Sequence, residues 1–276
     1  MNASRGVYLN GATIMTTPTD RHVEIARATG YDGVEVRAER LLKDREEVRH
    51  AAETVRLGEV WSLNGIQVKT AMDGSLRRDL LDEELPPRLD VCRRLGAAYL
   101  LVVPPRMAGV GAEGAIAGVR DGVARIRDGL AADGIGVAFE FLGFGDCPID
   151  TPERVRDVIE AVGSPALGFN ADPVNFVRSL DELYNMTSLT HRLFDLCGKY
   201  VVCAHTKDIT YESALPVRLR ECLLGVGLCD QVTYLQRFEQ SCPQGYFMIE
   251  HLPDDQIPAA KRNLDEAVRR AGLTWT

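Results

Sequence analysis

Four side chains that could bind a divalent metal ion stand at the ends of four apolar runs in the second half of the chain. They are Glu140, Asp172, His205 and Glu250, and gaps of 32, 33 and 45 residues separate them. Each gap is close to the length of one strand followed by one helix, and parallel strands end at the same edge of a sheet. We therefore expect the four side chains to lie close together in the folded protein.

A metal ion would resolve the electrostatic conflict that this arrangement creates. An ionised carboxylate at the end of a buried strand is costly unless it is paired or bound to a metal, and three acids in one place repel one another. A mixed set of carboxylates and an imidazole suits one Mn, Mg, Co or Zn ion better than a thiolate-seeking metal. The alternative is that each residue only caps its strand or pairs with Lys or Arg. The shared placement of all four favours the metal site.

The elements that must position these residues form a regular alternation along the chain. Each apolar run typical of a buried parallel strand is followed by a helix-like pattern. The eight runs lie near residues 7–10, 33–37, 66–71, 99–103, 135–141, 166–172, 200–205 and 246–250. No linker or change in composition divides them. The sequence therefore predicts an α/β fold, a single (β/α)8 TIM-barrel domain over residues 1–276.

An open, doubly wound sheet is the competing fold, and its glycine fingerprint is missing. The segment Gly225-Val226-Gly227 lacks the third glycine of a dinucleotide-binding turn, and the residues before it are weak evidence for a first strand. We interpret it as a loop after the seventh barrel strand, with Asp230 at the start of the next helix.

Composition limits the class of protein further. The chain has 276 residues, of which 45% are hydrophobic and 26% charged, and a formal net charge of -8 without a basic block. These features argue against nucleic-acid binding. The sequence contains no apolar run of 18 residues and no signal-peptide pattern, so we expect no membrane segment and a cytoplasmic location. The seven cysteines contain no C-x-x-C pair, which favours reduced thiols.

Several polar side chains should surround the mouth of such a barrel, because the C-terminal strand ends face the active site. Candidates for substrate contacts are Arg37, Lys69, Lys207 and His251. Alternation places Glu35 and Arg37 on one face of a strand, where both face the mouth or form an ion pair at the rim. Lys207 either steadies a substrate oxygen or pairs with Asp208 at the surface.

Other histidines and a tryptophan are given structural interpretations. His251 follows a predicted ligand directly, so a regular strand would turn it away from the metal. His22, His50 and His191 lie in helical patterns remote from the strand ends, where surface positions account for them, and Trp61 is placed late in a helix.

Three segments carry a resemblance to a known family. They are GYDGVEVR at residues 30–37, LGAAYLLVVP at 95–104 and VAFEFLG at 137–143, the last being the most specific. The chain resembles the xylose isomerase-like TIM barrels, a superfamily of sugar isomerases and epimerases that also contains endonuclease IV, and in particular the inosose isomerases. The similarity covers nearly the whole length.

The resemblance implies a metal-dependent isomerase or epimerase whose metal is held by the same four residues. It implies a small-molecule substrate, a keto sugar or a cyclitol such as a keto-inositol. Glu140 and Glu250 would take a proton from carbon and return it to the neighbouring carbon through an enediolate that the metal stabilises.

Two further residues are assigned through the resemblance. The family's D-x-x-H motif reads Asp172-Pro173-Val174-Asn175 here, and Asn175 can hydrogen-bond a substrate hydroxyl but cannot carry a proton. Arg220 stands where relatives keep an arginine that faces the substrate, although Arg218 could serve as well. The resemblance also allows a homo-oligomer, but no pattern in the sequence identifies a contact surface.

Three rival functions remain to be compared. A lyase of the same superfamily, either a dehydratase or a 3-keto-glycoside eliminase, begins with the same proton abstraction. A nuclease resembling endonuclease IV would need a histidine-rich cluster of several zinc ligands and a basic face that binds DNA. The chain has only five histidines, and its sequence shows no such basic face. A sugar-binding protein without catalysis would not need both Glu140 and Glu250.

Overall fold

Eight parallel strands close into a barrel, which confirms the predicted fold class. The computed structural model describes residues 6–11, 17–106, 112–143 and 145–275. The barrel strands are β1 (Val7–Asn10), β2 (Gly33–Arg37), β3 (Val60–Gln67), β4 (Tyr99–Val103), β5 (Gly136–Phe139), β6 (Leu167–Ala171), β7 (Val201–Thr206) and β10 (Tyr246–Ile249). Their order around the barrel is β1-β10-β7-β6-β5-β4-β3-β2. Both predicted domain limits lie outside the described residues, so the extent of 1–276 stays a prediction.

Helices pack around this barrel and follow the predicted alternation. They are α1 (Thr19–Ala28), α2 (Ala38–Leu41), α3 (Arg45–Thr54), α4 (Arg78–Leu95), α5 (Ala112–Leu130), α6 (Pro152–Val162), α7 (Leu180–Tyr184), α8 (Met186–Cys197), α9 (Gln231–Ser241) and α10 (Ile257–Arg270). At α6 the Thr151 hydroxyl accepts a hydrogen bond from the Arg154 amide, and Gly163 ends the helix with a φ of 60°. Local sequence signals thus set both ends of α6.

The third strand lies earlier than predicted, and Trp61 belongs to it. The prediction placed this strand near residues 66–71, whereas β3 begins at Val60 and ends at Gln67. The alternating polar positions Ser62 and Asn64 made the segment look unlike a buried strand. Trp61 is buried and stacks on Tyr99, with 4.5 Å between ring centroids, so its predicted position late in a helix is wrong.

The barrel interior changes from apolar to polar along the strand direction. An apolar cluster inside the barrel contains Tyr8, Trp61, Leu101, Ala138, Cys203 and Met248. Because side chains two residues apart on a strand share a face, the next inward positions after four of these are Asn10, Glu140, His205 and Glu250. All four are buried. The apolar cluster therefore packs on the N-terminal side of the polar residues, along the strand direction, and excludes water from that side of them.

A hairpin that the sequence did not predict follows the seventh barrel strand. Its strands, β8 (Asp208–Glu212) and β9 (Arg218–Cys222), are antiparallel and outside the barrel. The glycine loop comes next and leads into α9, where the Asp230 carboxylate accepts a hydrogen bond from the Thr233 amide. This placement confirms the loop and the helix start that we predicted there.

The glycine loop surrounds a carboxylate of the protein itself. Asp208 accepts hydrogen bonds from the backbone amides of Gly225, Gly227 and Cys229 at 2.9–3.1 Å. A Cβ atom on Gly227 would lie 2.2 Å from Asp208 Oδ1, so the close approach requires glycine. The amides that a dinucleotide phosphate would need are therefore already engaged.

Two further features of the chain concern membranes and thiols. Within the ranges that the structure describes, each helix is too short or too polar to cross a membrane. All seven cysteines are free thiols, and four of them are buried.

One histidine has a position that contradicts its predicted surface location. His22 lies on α1 and is 3% exposed, and its Nε2 has no hydrogen-bond partner among the described residues. Burial lowers its pKa to about 4, although a backbone hydrogen bond with Leu9 opposes this shift. The reason is that α1 packs this face against the barrel.

We expect His22 to make the protein sensitive to acid. Its pKa in the folded state lies below the ordinary value of 6.5, so the stability it provides is complete above pH 6.5 and is lost as the pH falls towards 4. The loss at pH 4.5 should be about 2–3 kcal/mol. Urea unfolding at pH 7.5 and pH 4.5 measures this loss in the free energy of unfolding. Between the two pH values, His22→Gln should lose about 2–3 kcal/mol less than the wild type. The exposed His50→Gln is the control; equal acid losses in all three proteins would contradict the prediction.

Candidate metal centre

His205 lies between three carboxylates at the C-terminal end of β7. Its Nδ1 is 3.0 Å from Glu140 Oε1 and 3.3 Å from Glu250 Oε2. On the other side of the ring, Nε2 is 3.1 Å from Glu35 Oε1. Strands β5, β10 and β2 bring these acids to one place because all three end at the same rim of the barrel.

Asp172 reaches this cluster through a buried lysine. Lys207 Nζ lies 2.5 Å from Asp172 Oδ2 and also contacts Glu250 Oε1. Lys207 is 6% exposed, so the surface pair with Asp208 that we considered does not form. Contacts with these two buried carboxylates account for the inward direction of the lysine.

Glu35 is the member of the cluster whose role the sequence analysis missed. It is fully buried and accepts hydrogen bonds from Asn64 Nδ2 at 2.9 Å and from the Ser62 hydroxyl. It forms no rim pair with Arg37, which instead contacts Asn64 and Glu39. An acid inside the apolar run of β2 was the available signal, because a buried carboxylate needs a partner.

The cluster contains more negative than positive charge. Glu35, Glu140, Asp172 and Glu250 are 0–4% exposed. Without a metal, Lys207 and a protonated His205 can balance two of these four carboxylates, which leaves two negative charges. A divalent cation bound to the neutral imidazole would replace the His205 proton and reduce the excess to one negative charge.

The pKa values of individual groups show how strongly these charges interact. Burial, together with the neighbouring Glu250 and Glu140, raises the pKa of Asp172 to about 7, although Lys207 opposes this shift. Burial also acts to raise the pKa of Glu250, but Lys207 and His205 hold it below its ordinary value. For His205, burial lowers the pKa, yet the three surrounding glutamates raise it well above the usual range.

The donor set fits a metal ion. One ligand atom from each of Glu140, His205 and Glu250 lies within 4.8 Å of the others. His205 Nδ1 faces both of these carboxylates, while Glu35 is positioned to accept a hydrogen from Nε2. A carboxylate on the outer nitrogen is typical of metal-binding histidines and fixes the ring and its tautomer. The structure thus brings three predicted ligands together, and Asp172 joins them through Lys207.

A cavity of about 650 Å³ opens onto this cluster. It is lined by Glu140, Lys207 and Glu250 and by four other residues that we predicted for substrate binding, Arg37, Lys69, Asn175 and His251. Arg220 does not line it. Arg220 lies on β9 and lines an adjoining pocket of about 270 Å³, which shares Asn175, Lys207 and His251 with the larger cavity.

Asn175 and His251 each contact a predicted metal ligand. Asn175 Nδ2 donates to the Phe141 carbonyl at 2.8 Å and to Glu140 Oε1 at 3.3 Å. His251 has a φ of 59° and its Nε2 is 3.8 Å from Glu250 Oε2. The positive φ of His251 breaks the regular strand on which the expectation that it turns away depended, so strand alternation does not set its direction.

Comparisons with known proteins find a family model, two relatives and a solved structure that are similar to this chain. The model of the family "Xylose isomerase-like TIM barrel" matches residues 23–271. An inosose isomerase from Bacillus velezensis is 24% identical over 208 residues, which cover 73% of this chain and 71% of that protein. A 3-oxo-isoapionate decarboxylase from Pectobacterium atrosepticum is 29% identical over 136 residues, covering 46% and 47% respectively. Among solved structures, the IolI protein with a bound zinc atom superposes with a TM-score of 0.74 at 18% identity, covering 97% of this chain and 98% of that one.

We expect Glu35→Gln to weaken divalent-metal binding about 10- to 100-fold, because the amide cannot hold the His205 ring as a carboxylate does. Calorimetric titration of the metal-stripped protein with Mn or Zn measures this change. Glu47→Gln is the matched control, since Glu47 is also buried but hydrogen-bonds Thr19 and Arg40 outside the barrel. An unchanged metal affinity in folded Glu35→Gln would contradict the role given to Glu35.

Proposed function

The chain belongs to the xylose isomerase-like TIM-barrel family, and from this we propose that it is a divalent-metal-dependent isomerase or epimerase of a keto sugar or keto-inositol. The observation that carries the proposal is the pair of buried carboxylates, Glu140 and Glu250, beside His205 at the cavity surface. The similarity to an inosose isomerase supports a cyclitol or sugar substrate.

We propose that Glu140, Asp172, His205 and Glu250 hold one Mn, Mg, Co or Zn ion. When bound, this metal would supply a Lewis acid that polarises the substrate carbonyl and an adjacent hydroxyl. The zinc found in the IolI structure, which has the same fold, supports a divalent metal in this barrel.

The residues of the chain supply the groups that move a proton. Glu140 and Glu250 come from β5 and β10, and they reach the cavity on two sides of His205. In an isomerisation, one carboxylate can take a proton from carbon to give an enediolate and the other can return a proton to the neighbouring carbon, while the hydroxyl proton passes to the former carbonyl oxygen. In an epimerisation, the second carboxylate returns the proton to the same carbon from the opposite face.

Neighbouring side chains hold both carboxylates in place. Asn175 donates a hydrogen bond to Glu140, while Asn10 donates to Glu250 at 3.0 Å and Lys207 contacts its other oxygen. A carboxylate that keeps its position relative to a bound substrate transfers protons more efficiently than one that must reorient. Arg37, Lys69, Lys207, Asn175 and His251 are proposed to bind the substrate, with Arg220 reaching it from the adjoining pocket.

A lyase is the second candidate, and the partial similarity to a decarboxylase favours it. A dehydratase or an eliminase would use the same proton abstraction beside a carbonyl and then expel a leaving group. The two candidates therefore differ in the second half of the reaction.

Proton NMR in deuterated buffer separates these candidates. With inososes, ketohexoses and 3-keto-glucosides as substrates, we expect deuterium to enter at the carbon next to the carbonyl of the accepted compound, without loss of any group. Loss of water, carbon dioxide or an aglycone would support the lyase and would contradict the isomerase. Removal of the metal by a chelator should stop the exchange, and added metal should restore it.

Replacement of either proposed proton-transfer residue tests whether the protein is an enzyme. We expect Glu140→Gln and Glu250→Gln to lower kcat/KM about 100- to 10,000-fold, because an amide cannot accept the proton. The metal content of each variant must be measured so that loss of metal is distinguished from loss of chemistry. Glu160→Gln, on the outer surface of α6, is the control. A metal-loaded variant that turns over like the wild type would contradict the assignment.

A further inference from the structure

Three cationic side chains line the cavity, and each donates a hydrogen bond to a residue near the end of β3. Arg37 Nη1 donates to Asn64 Oδ1 at 3.1 Å, and Arg88 Nε donates to the Gly65 carbonyl at 2.9 Å. Lys69 Nζ donates to Gln67 Oε1 at 3.1 Å. The end of β3 therefore holds all three cations along one part of the cavity wall, which we call the cationic wall (Arg37, Lys69 and Arg88).

Acidic neighbours balance only part of this charge. Glu39 pairs with Arg37 at 3.2 Å and Glu84 with Arg88 at 3.5 Å. Within the described ranges Lys69 has no carboxylate partner, and its contact with Gln67 leaves two of its three hydrogens for a ligand. The cationic wall therefore keeps a positive charge and free donors beside the cavity.

A buried donor on the same wall also lacks a partner. Arg37 Nε is inaccessible to solvent and makes no hydrogen bond to the described residues. Because a ligand in the cavity cannot reach this buried atom, Lys69 is the member of the cationic wall whose unused donors remain available to a ligand.

We propose that the cationic wall binds an anionic group of the substrate, a carboxylate or a phosphate. This inference rests on the proposed function and narrows its substrate class from keto sugars in general to acidic ones. The four buried carboxylates around His205 repel an anionic group of the substrate, whereas Lys69 and Arg37 attract it. The two regions would therefore orient a substrate, with its anionic end at the cationic wall and its carbonyl end at Glu140 and Glu250.

Equilibrium binding to the metal-loaded protein tests the proposal without requiring turnover. The probes are D-fructose, D-fructuronate and D-fructose 6-phosphate, which share a carbon skeleton and differ in charge. At low ionic strength we expect one of the two anionic probes to bind at least about 10-fold more tightly than D-fructose, as charge-assisted hydrogen bonds imply. A preference for D-fructuronate identifies the carboxylate, and a preference for D-fructose 6-phosphate identifies the phosphate.

Variants of Lys69 show whether the preference comes from the cationic wall. Lys69→Met should lower the affinity for the preferred anion relative to that for D-fructose about 10-fold, while Lys69→Arg should keep most of the preference. The matched control is Lys199→Met, since Lys199 pairs with Glu160 on the outer surface. Thermal melting of each variant shows that it is folded.

Equal binding of the charged and neutral probes would overturn the proposal. So would a Lys69→Met variant that loses affinity for all probes by the same factor. These outcomes are distinct from failure of the proposed function. An anion preference without proton exchange would contradict the proposed isomerase and support the anion site. Proton exchange without an anion preference would support the isomerase and contradict the anion site.

Discussion

The buried negative charge around His205 is the constraint on which the rest of the site depends. Four carboxylates lie out of water at the rim of the barrel, and a lysine and a histidine cannot balance them fully. Leaving such charges without a partner costs several kcal/mol each, so the chain must supply fixed donors or accept a cation. Asn10, Ser62, Asn64 and Asn175 are the donors that it supplies.

The barrel itself explains why these groups meet. The barrel strands are parallel, and side chains at alternate positions face inward, so an apolar position followed by a polar one recurs at the same level on several strands. Ala138 precedes Glu140, Cys203 precedes His205 and Met248 precedes Glu250 in this way. The apolar positions close the interior, and the polar ones face the cavity. On these three strands the apolar residue that packs the interior and the polar residue that faces the cavity are therefore two positions apart.

The sequence predicted those parts of the molecule that follow from regular periodicity. The barrel and the meeting of Glu140, His205 and Glu250 both depend on the repeat of strand and helix along the chain. Predictions failed where tertiary contacts override local pattern. β3 has polar residues because Ser62 and Asn64 bind Glu35, and His22 is buried because its helix packs on the barrel. Lys207 turns inward because two distant acids attract it, which no local pattern reveals.

The hairpin of β8 and β9 has a consequence for how the protein can diversify. It begins directly after Lys207, its base is fixed by Asp208 and the glycine loop, and its Glu221 binds His251 at 2.6 Å. The hairpin thus shapes the rim without belonging to the barrel. Leu219, Arg220 and Glu221 on β9 line the pocket that adjoins the cavity. Their mutation or exchange can alter selectivity while the scaffold and its acidic centre stay the same, which makes this strand the natural starting point for directed evolution.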